Sequence, residues 1–418
     1  MTKKITYILL FISSFVFAQN KAKYLESNRF DLTKSDLKFP QNKFNLIGFG
    51  AYHGSAKTEN VEINLLNSIL KNNSIKYYLP ETDFSIAHYF NEYLKTGDTH
   101  QLKDLVTQYG VRVPQERTIE VFNKWKNLKK INDKLPNDKK IKVVGIDLQV
   151  NYKYVSKHIL ELTDNSDHHL EHLNKIEEMV KIDTTSFSMN KKGYAYKVLK
   201  DFVNDYEIDK SKYENHIINK FDFEHIIKNL KISFSDKSER EKVMYDNYLS
   251  LDSKYDFKNK PQFLRMGFFH LEKAREGEKG YPSFFARLIE NNIYTKEKII
   301  SVIGFLTNSR VVWDEKYDTN GKYVGHTTEA GMGIGDYEKE YFRGIQNLKA
   351  TKISDETLFR LNKRKSPYFE KEPDLIEVIM KDEESNGKNV SKMSTLDFLD
   401  YAVLISNSEA SIPIFEIK

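Results

Sequence analysis

Four ionisable residues, His53, Glu81, Asp147 and His270, each stand just past a short apolar run that ends in a turn. A neutral imidazole beside a carboxylate is a common apparatus for activating water. The carboxylate fixes the tautomer and stabilises the imidazolium, and the ring takes the proton. The same residue types also bind divalent metals, with two histidines and one or two carboxylates around the ion. Taken singly, each has an ordinary structural use. A histidine after a strand bonds backbone in a turn, Glu81 behind Pro80 partners a helix N-cap, and Asp147 caps the helix that opens at Asn151. Their joint placement favours chemistry, because open α/β sheets keep their ligand crevice outside the carboxyl ends of the strands.

The elements that must position them are legible as short β-branched and aromatic runs. Asn45 to Phe49 stops at Gly50, and the turn through His53 and Gly54 leads into a helix with Val61, Leu65, Leu66 and Ile69 at helical spacing. Ile75 to Leu79 runs into Pro80-Glu81, and Lys142 to Ile146 runs into Asp147 and Gln149. Phe263 to Phe268 precedes His270, Lys298 to Phe305 is a fifth strand, and Tyr401 to Ile405 closes the set. Leu358 to Leu361 and Ile376 to Ile379 fit no single element type. Residues 314 to 336 read as a long Gly-rich loop. The pattern predicts an α/β fold with a mainly parallel sheet, helices on both faces and a helical cap insertion. Residues 19–151 and 259–418 would form the core, and 152–258 the cap.

Composition bounds the partners. Over 418 residues the charge is +5, and +3 without Lys3 and Lys4, too little to argue for nucleic acid or an anionic membrane. Lys3-Lys4, the apolar run Ile5 to Phe17 and Val16-Phe17-Ala18 read as a signal peptide over 1–18, cleaved before Gln19. The expected location is therefore periplasmic or secreted, with no membrane contact after cleavage. With no cysteine there is no disulfide, and any metal site must use histidine and carboxylates. Gly331, Gly333 and Gly335 have no strand feeding them, which argues against a dinucleotide loop. His168, His169 and His172 read as a hydrated helix face. No Gly-x-Ser-x-Gly elbow is present for a serine nucleophile.

Several runs together resemble the erythromycin esterase family: Ala51-Tyr52-His53-Gly54, the LPETDF stretch around Glu81, Gly145-Ile146-Asp147-Leu148-Gln149, Arg240 through Met244 to Asn247, and Leu399-Asp400-Tyr401-Ala402. They match, in order, that family's Gly-Glu-Ala-Thr-His-Gly, Leu-Glu, Gly-Phe-Asp-x-Gln, Arg-x-x-x-Met-x-x-Asn and Phe-Asp-Ala patterns. The resemblance implies a hydrolase that opens a macrolide lactone ring, or a relative of unknown substrate, with an ester or lactone as the expected bond. It places the general base on His53, the essential glutamate on Glu81, the arginine on Arg240 and the second histidine on His270. Arg240 and His270 would stabilise the developing oxyanion, and Tyr52, Asp147 and Gln149 would contact substrate. Gly50, Tyr52 and Gly267 stand where the family has Glu, Thr and His. No cofactor is expected. The alternatives are a divalent-metal hydrolase using His53, Glu81 and His270, and a non-enzymatic haem, metal or small-ligand binder.

Overall fold

The computed structural model describes residues 20–110, 112–166, 168–182, 193–235, 239–330, 336 and 339–417. The expected signal peptide and the Gly331/Gly333/Gly335 string lie outside the described residues. Two compact units partition the chain. The first takes the described residues up to Ile75 together with Lys258–Pro413, and the second takes Lys76–Phe257 with the residues from Ile414.

In chain order the strands are β1 (Arg29–Asp31), β2 (Leu46–Gly50), β3 (Tyr77–Pro80), β4 (Lys142–Val143), β5 (Gln262–Met266) and β6 (Ile299–Thr307). They continue as β7 (Arg310–Tyr317), β8 (Tyr323–Ala330), β9 (Glu340–Phe342), β10 (Glu356–Arg360), β11 (Val378–Met380) and β12 (Tyr401–Ser406). In the first unit the order is β1-β10-β12-β6-β2-β5. The pairs β12/β6, β6/β2 and β2/β5 are parallel, while β1/β10 and β10/β12 are antiparallel. Together with the parallel β3/β4 pair of the second unit, this is an α/β fold with mainly parallel pairing. Every residue of β2, β5 and β12 is buried, as expected of strands covered on both faces. Helix α1 (Ala56–Leu70) buries Val61, Leu65, Leu66 and Ile69, each contributing about 1.5–3 kcal/mol by leaving water.

Three sequence expectations change. Residues 314–330 of the expected 314–336 loop are not loop: β7 and β8 form an antiparallel hairpin about the Asp318–Gly321 turn. Its residues are mostly solvent-exposed or half-buried, so no apolar alternation marked it. The two ambiguous runs become β10 and β11, paired with β12 and β9. The strand expected over 142–146 keeps regular pairing only for Lys142 and Val143, because the chain then turns in against Asp83.

In the second unit, α2 (Phe84–Thr96) starts at Asp83, whose side chain accepts from the backbone N–H of Ser85 and Ile86, and ends on left-handed Gly97. It is followed by α3 (Thr99–Tyr109) and α4 (Ile119–Lys134), which stacks Trp125 on Phe90 with centroids 3.6 Å apart. From Tyr152 to Tyr255 the named elements are all helical, chiefly α5 (Tyr152–Glu161), α6 (Glu171–Lys181), α7 (Tyr194–Ile208), α8 (Lys220–Ser233) and α9 (Arg240–Tyr255). Among the described residues no helix is long and apolar enough to cross a membrane.

Candidate functional site

The second unit gathers charge at the carboxyl ends of β3 and β4. Pro80 ends β3, and Glu81 follows with its side chain only 6% exposed. Beyond β4 the chain meets the β3 end again through a parallel bridge of Asp83 with Asp147, and the Asp147 N–H donates to the Thr82 carbonyl at 3.0 Å. Gly145 makes this approach possible, since a Cβ there would land on the Asp83 carbonyl. Two adjacent strand ends are thereby held with their carboxylates side by side.

Arg240, the first residue of α9, binds both. Its Nε and Nη2 donate to the two oxygens of Asp147 at 3.1 and 2.6 Å, and Nη2 donates to Glu81 Oε1 at 2.6 Å. Arg112 closes the cluster, with Nη1 donating to Asp147 and Nη2 to the Leu148 carbonyl at 2.9 Å. The Asp147 side chain is completely buried. Burial alone would favour its neutral form, but Arg112 and Arg240 outweigh burial and hold the carboxyl well below the usual carboxylate range. Burial likewise opposes the charge on Arg240, and Asp147 and Glu81 reverse that, raising its pKa. These are charge-assisted, partly bidentate contacts, the strong class of hydrogen bond. Arg240 is therefore not a plain surface ion-pair residue.

Behind this cluster lies a buried polar support. Asp83 is buried, and Gln149 Nε2 donates to it at 2.9 Å. Burial pushes the Asp83 carboxyl up to about 6, the helix-cap bonds and Arg112 hold it back, and Asp147 adds to the rise. The other amide atom, Gln149 Oε1, has no hydrogen-bond partner among the described residues. Asn247, fully buried two turns after Arg240 on α9, donates to the Ile146 carbonyl at 3.0 Å. It also exchanges hydrogen bonds of 2.7 and 3.1 Å with Asn229 of α8. The α9 helix thus holds both Ile146 and Asp147.

The first unit carries the remaining candidates. His53 is half-buried in the turn after β2, followed by Gly54 at φ 82°, a left-handed conformation suited to glycine. The Gly54 carbonyl accepts from the N–H of Val312 at 2.9 Å and Ser411 at 2.8 Å, which pins the His53 turn to the root of the β7/β8 hairpin. Tyr52 is half-buried, and burial together with Glu340 raises its phenol pKa. His270 is buried in a one-turn 3₁₀ helix past the end of β5.

Of the sequence candidates, then, the structure brings Glu81, Asp147 and Arg240 into one hydrogen-bonded cluster, with Gln149 one residue removed through Asp83. Tyr52, His53 and His270 sit at strand ends of the other unit. Arg112 and Asp83 were not among the candidates. Asp83 had a signal, an Asp-Phe-Ser-Ile helix start, whereas Arg112 lies in a loop with no motif. Of the His168/His169/His172 set, only His172 lies on α6, and His168 is exposed at φ 54°. Among the described residues no group of three or more His, Asp or Glu side chains is arranged to hold a metal ion.

No protein-family profile matches the chain, and no curated protein matches it. Solved structures do. A succinoglycan biosynthesis protein superposes with a TM-score of 0.62 at 17% identity, covering 94% of this chain and 98% of its own. A Bacillus cereus protein gives 0.59 at 16% identity, covering 95% and 99%. A mutant of the erythromycin esterase EreC in its open conformation gives 0.55 at 13% identity, covering 90% and 93%. At these identities the likeness establishes a shared fold.

Proposed function

We propose that the chain is a hydrolase of the erythromycin esterase type, cleaving an ester or lactone with water. The observation that carries this reading is the buried Glu81–Arg240–Asp147 cluster, built at the carboxyl ends of parallel strands in a fold shared with an esterase. In the proposed reaction His53 takes a proton from water as the oxygen attacks the carbonyl carbon. The oxyanion that forms is stabilised by cationic and N–H donors, Arg240 and His270 among them. Collapse breaks the carbon–oxygen bond of the ester, and the imidazolium returns its proton to the departing alkoxide, leaving a carboxylic acid and an alcohol. Glu81 orients the water or the imidazole, and Asp147 keeps Arg240 charged and fixed. Tyr52 and Gln149 contribute substrate contacts.

The test is a panel of esters and lactones, macrolides included, offered to the wild type, His53→Ala, Glu81→Gln and the double variant. Each single change is expected to lower turnover at least ~100-fold, the scale of a positioned general base. The double is expected to be little worse, since groups that act as a unit are non-additive. Near-normal turnover in His53→Ala would remove it as the base. A wild type that hydrolyses nothing, with variants that alter only ligand affinity, would make the protein a binder.

We propose also that the protein is exported, on the strength of Lys3-Lys4 and the apolar run to Phe17. Sequencing of the native N-terminus is expected to return Gln19, and Met1 or Thr2 on cytoplasmic protein would refute it.

A further inference from the structure

A cavity of about 910 Å³ opens in the second unit at the amino ends of β3 and β4, the ends opposite to Glu81 and Asp147. Five lysines line it: Lys76, Lys95, Lys140, Lys142 and Lys254. The lining carboxylates are Glu92 and Asp133. Glu92 is taken by Lys95 at 2.6 Å, and Asp133 is bound by Lys129 from outside the lining at 3.0 Å. Lys140 donates to the Asn132 and Asp133 carbonyls, Lys76 donates to the Asp138 carbonyl, and Lys254 is paired with Asp222. The Lys142 side chain makes no hydrogen bond or ion pair among the described residues, although the Asp222 carboxylate, itself paired with Lys254, attracts it from nearby. Its ammonium lies over the Tyr255 ring, 5.0 Å from the centroid, with the Lys254 ammonium 5.5 Å from the same centroid. Like charges are therefore crowded around one aromatic floor.

We propose that this cavity binds a small polyvalent oxyanion, a phosphate- or sulfate-bearing molecule. Lysine ammoniums are compact point donors, suited to tetrahedral oxyanions, and the lining contains no arginine fork of the kind that reads planar carboxylates. The volume is that of a small-molecule site. Single-stranded nucleic acid is disfavoured, because it needs exposed rings for its bases, and Tyr77 and Tyr255 are 4% and 7% exposed. Burial and then Lys254, with Lys95 and Lys76 after it, lower the Lys142 pKa against the opposing pull of Asp222, and a bound anion would relieve that crowding. The site is independent of the proposed hydrolysis and shares none of its residues.

Calorimetric titration of the full chain with pyrophosphate, and separately with a trisulfated disaccharide, tests it. Saturable binding that weakens with added salt is expected. Lys142→Gln/Lys254→Gln is expected to weaken it by roughly tenfold, and Lys95→Gln/Lys140→Gln by several-fold, on the scale of partly exposed charge-assisted contacts. Lys296→Gln, in the other unit, should leave it unchanged. Tighter binding of pyrophosphate would assign a phosphate-bearing ligand, and tighter binding of the disaccharide a sulfated sugar. Failure of both probes to saturate, or unchanged affinity in both double variants, overturns the proposal.

Discussion

Among the described residues, two buried clusters set arginine against a pair of carboxylates, and they differ in kind. In the first unit Arg265 of β5 is 2% exposed, lies 3.4 Å from both Glu59 and Glu62 of α1, and stacks over the Phe49 ring. It ties a strand to a helix inside the framework. In the second unit Arg240 is one-third exposed and grips Glu81 and Asp147 at 2.6 Å, and both of those carboxylates lie on strand-end turns. The same residue types thus serve once to join framework elements and once to gather loops. Burial of charge alone does not mark a reactive site. Its position relative to the strand ends, and a partly open cation, separate the two.

The sharpest way to break this comparison is to neutralise each arginine. Arg240→Met is expected to lower turnover on a responsive ester by ~100-fold or more, in line with the loss of an oxyanion donor, and also to lower the melting temperature, since Asp147 and Glu81 lose a cation that grips them at 2.6 Å. Arg265→Met is expected to cost stability alone. Leaving Glu59 and Glu62 buried without their cation costs about 3–5 kcal/mol, seen as a lower thermal midpoint, while folded protein keeps its specific activity. Equal losses of stability with no difference in activity would make the two clusters equivalent.

A smaller effect is expected from Asp83. Its pKa is raised to about 6 in the fold, so its favourable contribution is fully present below its unfolded value, near 3.8, and is lost as pH rises through 6. Asp83→Asn retains a helix-capping side chain but cannot ionise. Relative to wild type it should gain about 1–1.5 kcal/mol on going from pH 5 to pH 8, measured by urea unfolding at both values. A difference that does not change with pH would show that Asp83 does not titrate in this range. Asp147 acts in the opposite sense, since its lowered pKa contributes stability above its unfolded value that is lost only in strong acid. The smallest expected effect on activity is none: His168→Ala, with a side chain 65% exposed, should leave turnover unchanged.

What the sequence made legible follows physical rules. β2, β5, β6 and β12 could be placed because strands covered on both faces need unbroken apolar runs. Glu81 and Asp147 could each be placed at a strand end because polar residues abruptly follow such runs, but their shared bond to Arg240 could not be read in advance. The hairpin of β7 and β8 leaves no mark in the sequence, because two wet faces impose no alternation on residues such as Asp314, Glu315 and Lys316. β4 is shorter than its apolar run, because Val144 and Ile146 are buried like strand residues, yet Gly145 turns that segment toward Asp83. Arg112 could not be found at all. Its partner Asp147 is 35 residues away, and only the tertiary fold joins them.

One feature of α9 carries a mechanical consequence. Arg240 and Asn247 are seven residues apart, so they project from nearly the same side of the rod and are separated by about 10 Å along its axis. Yet they hold consecutive residues, Asp147 and Ile146. Two fastenings spaced along a rigid bar fix its axial setting as well as its distance. A slip of one residue step, about 1.5 Å, would strain both at once. The helix therefore works as a gauge, and a push along its length is delivered to the acid at the end of β4.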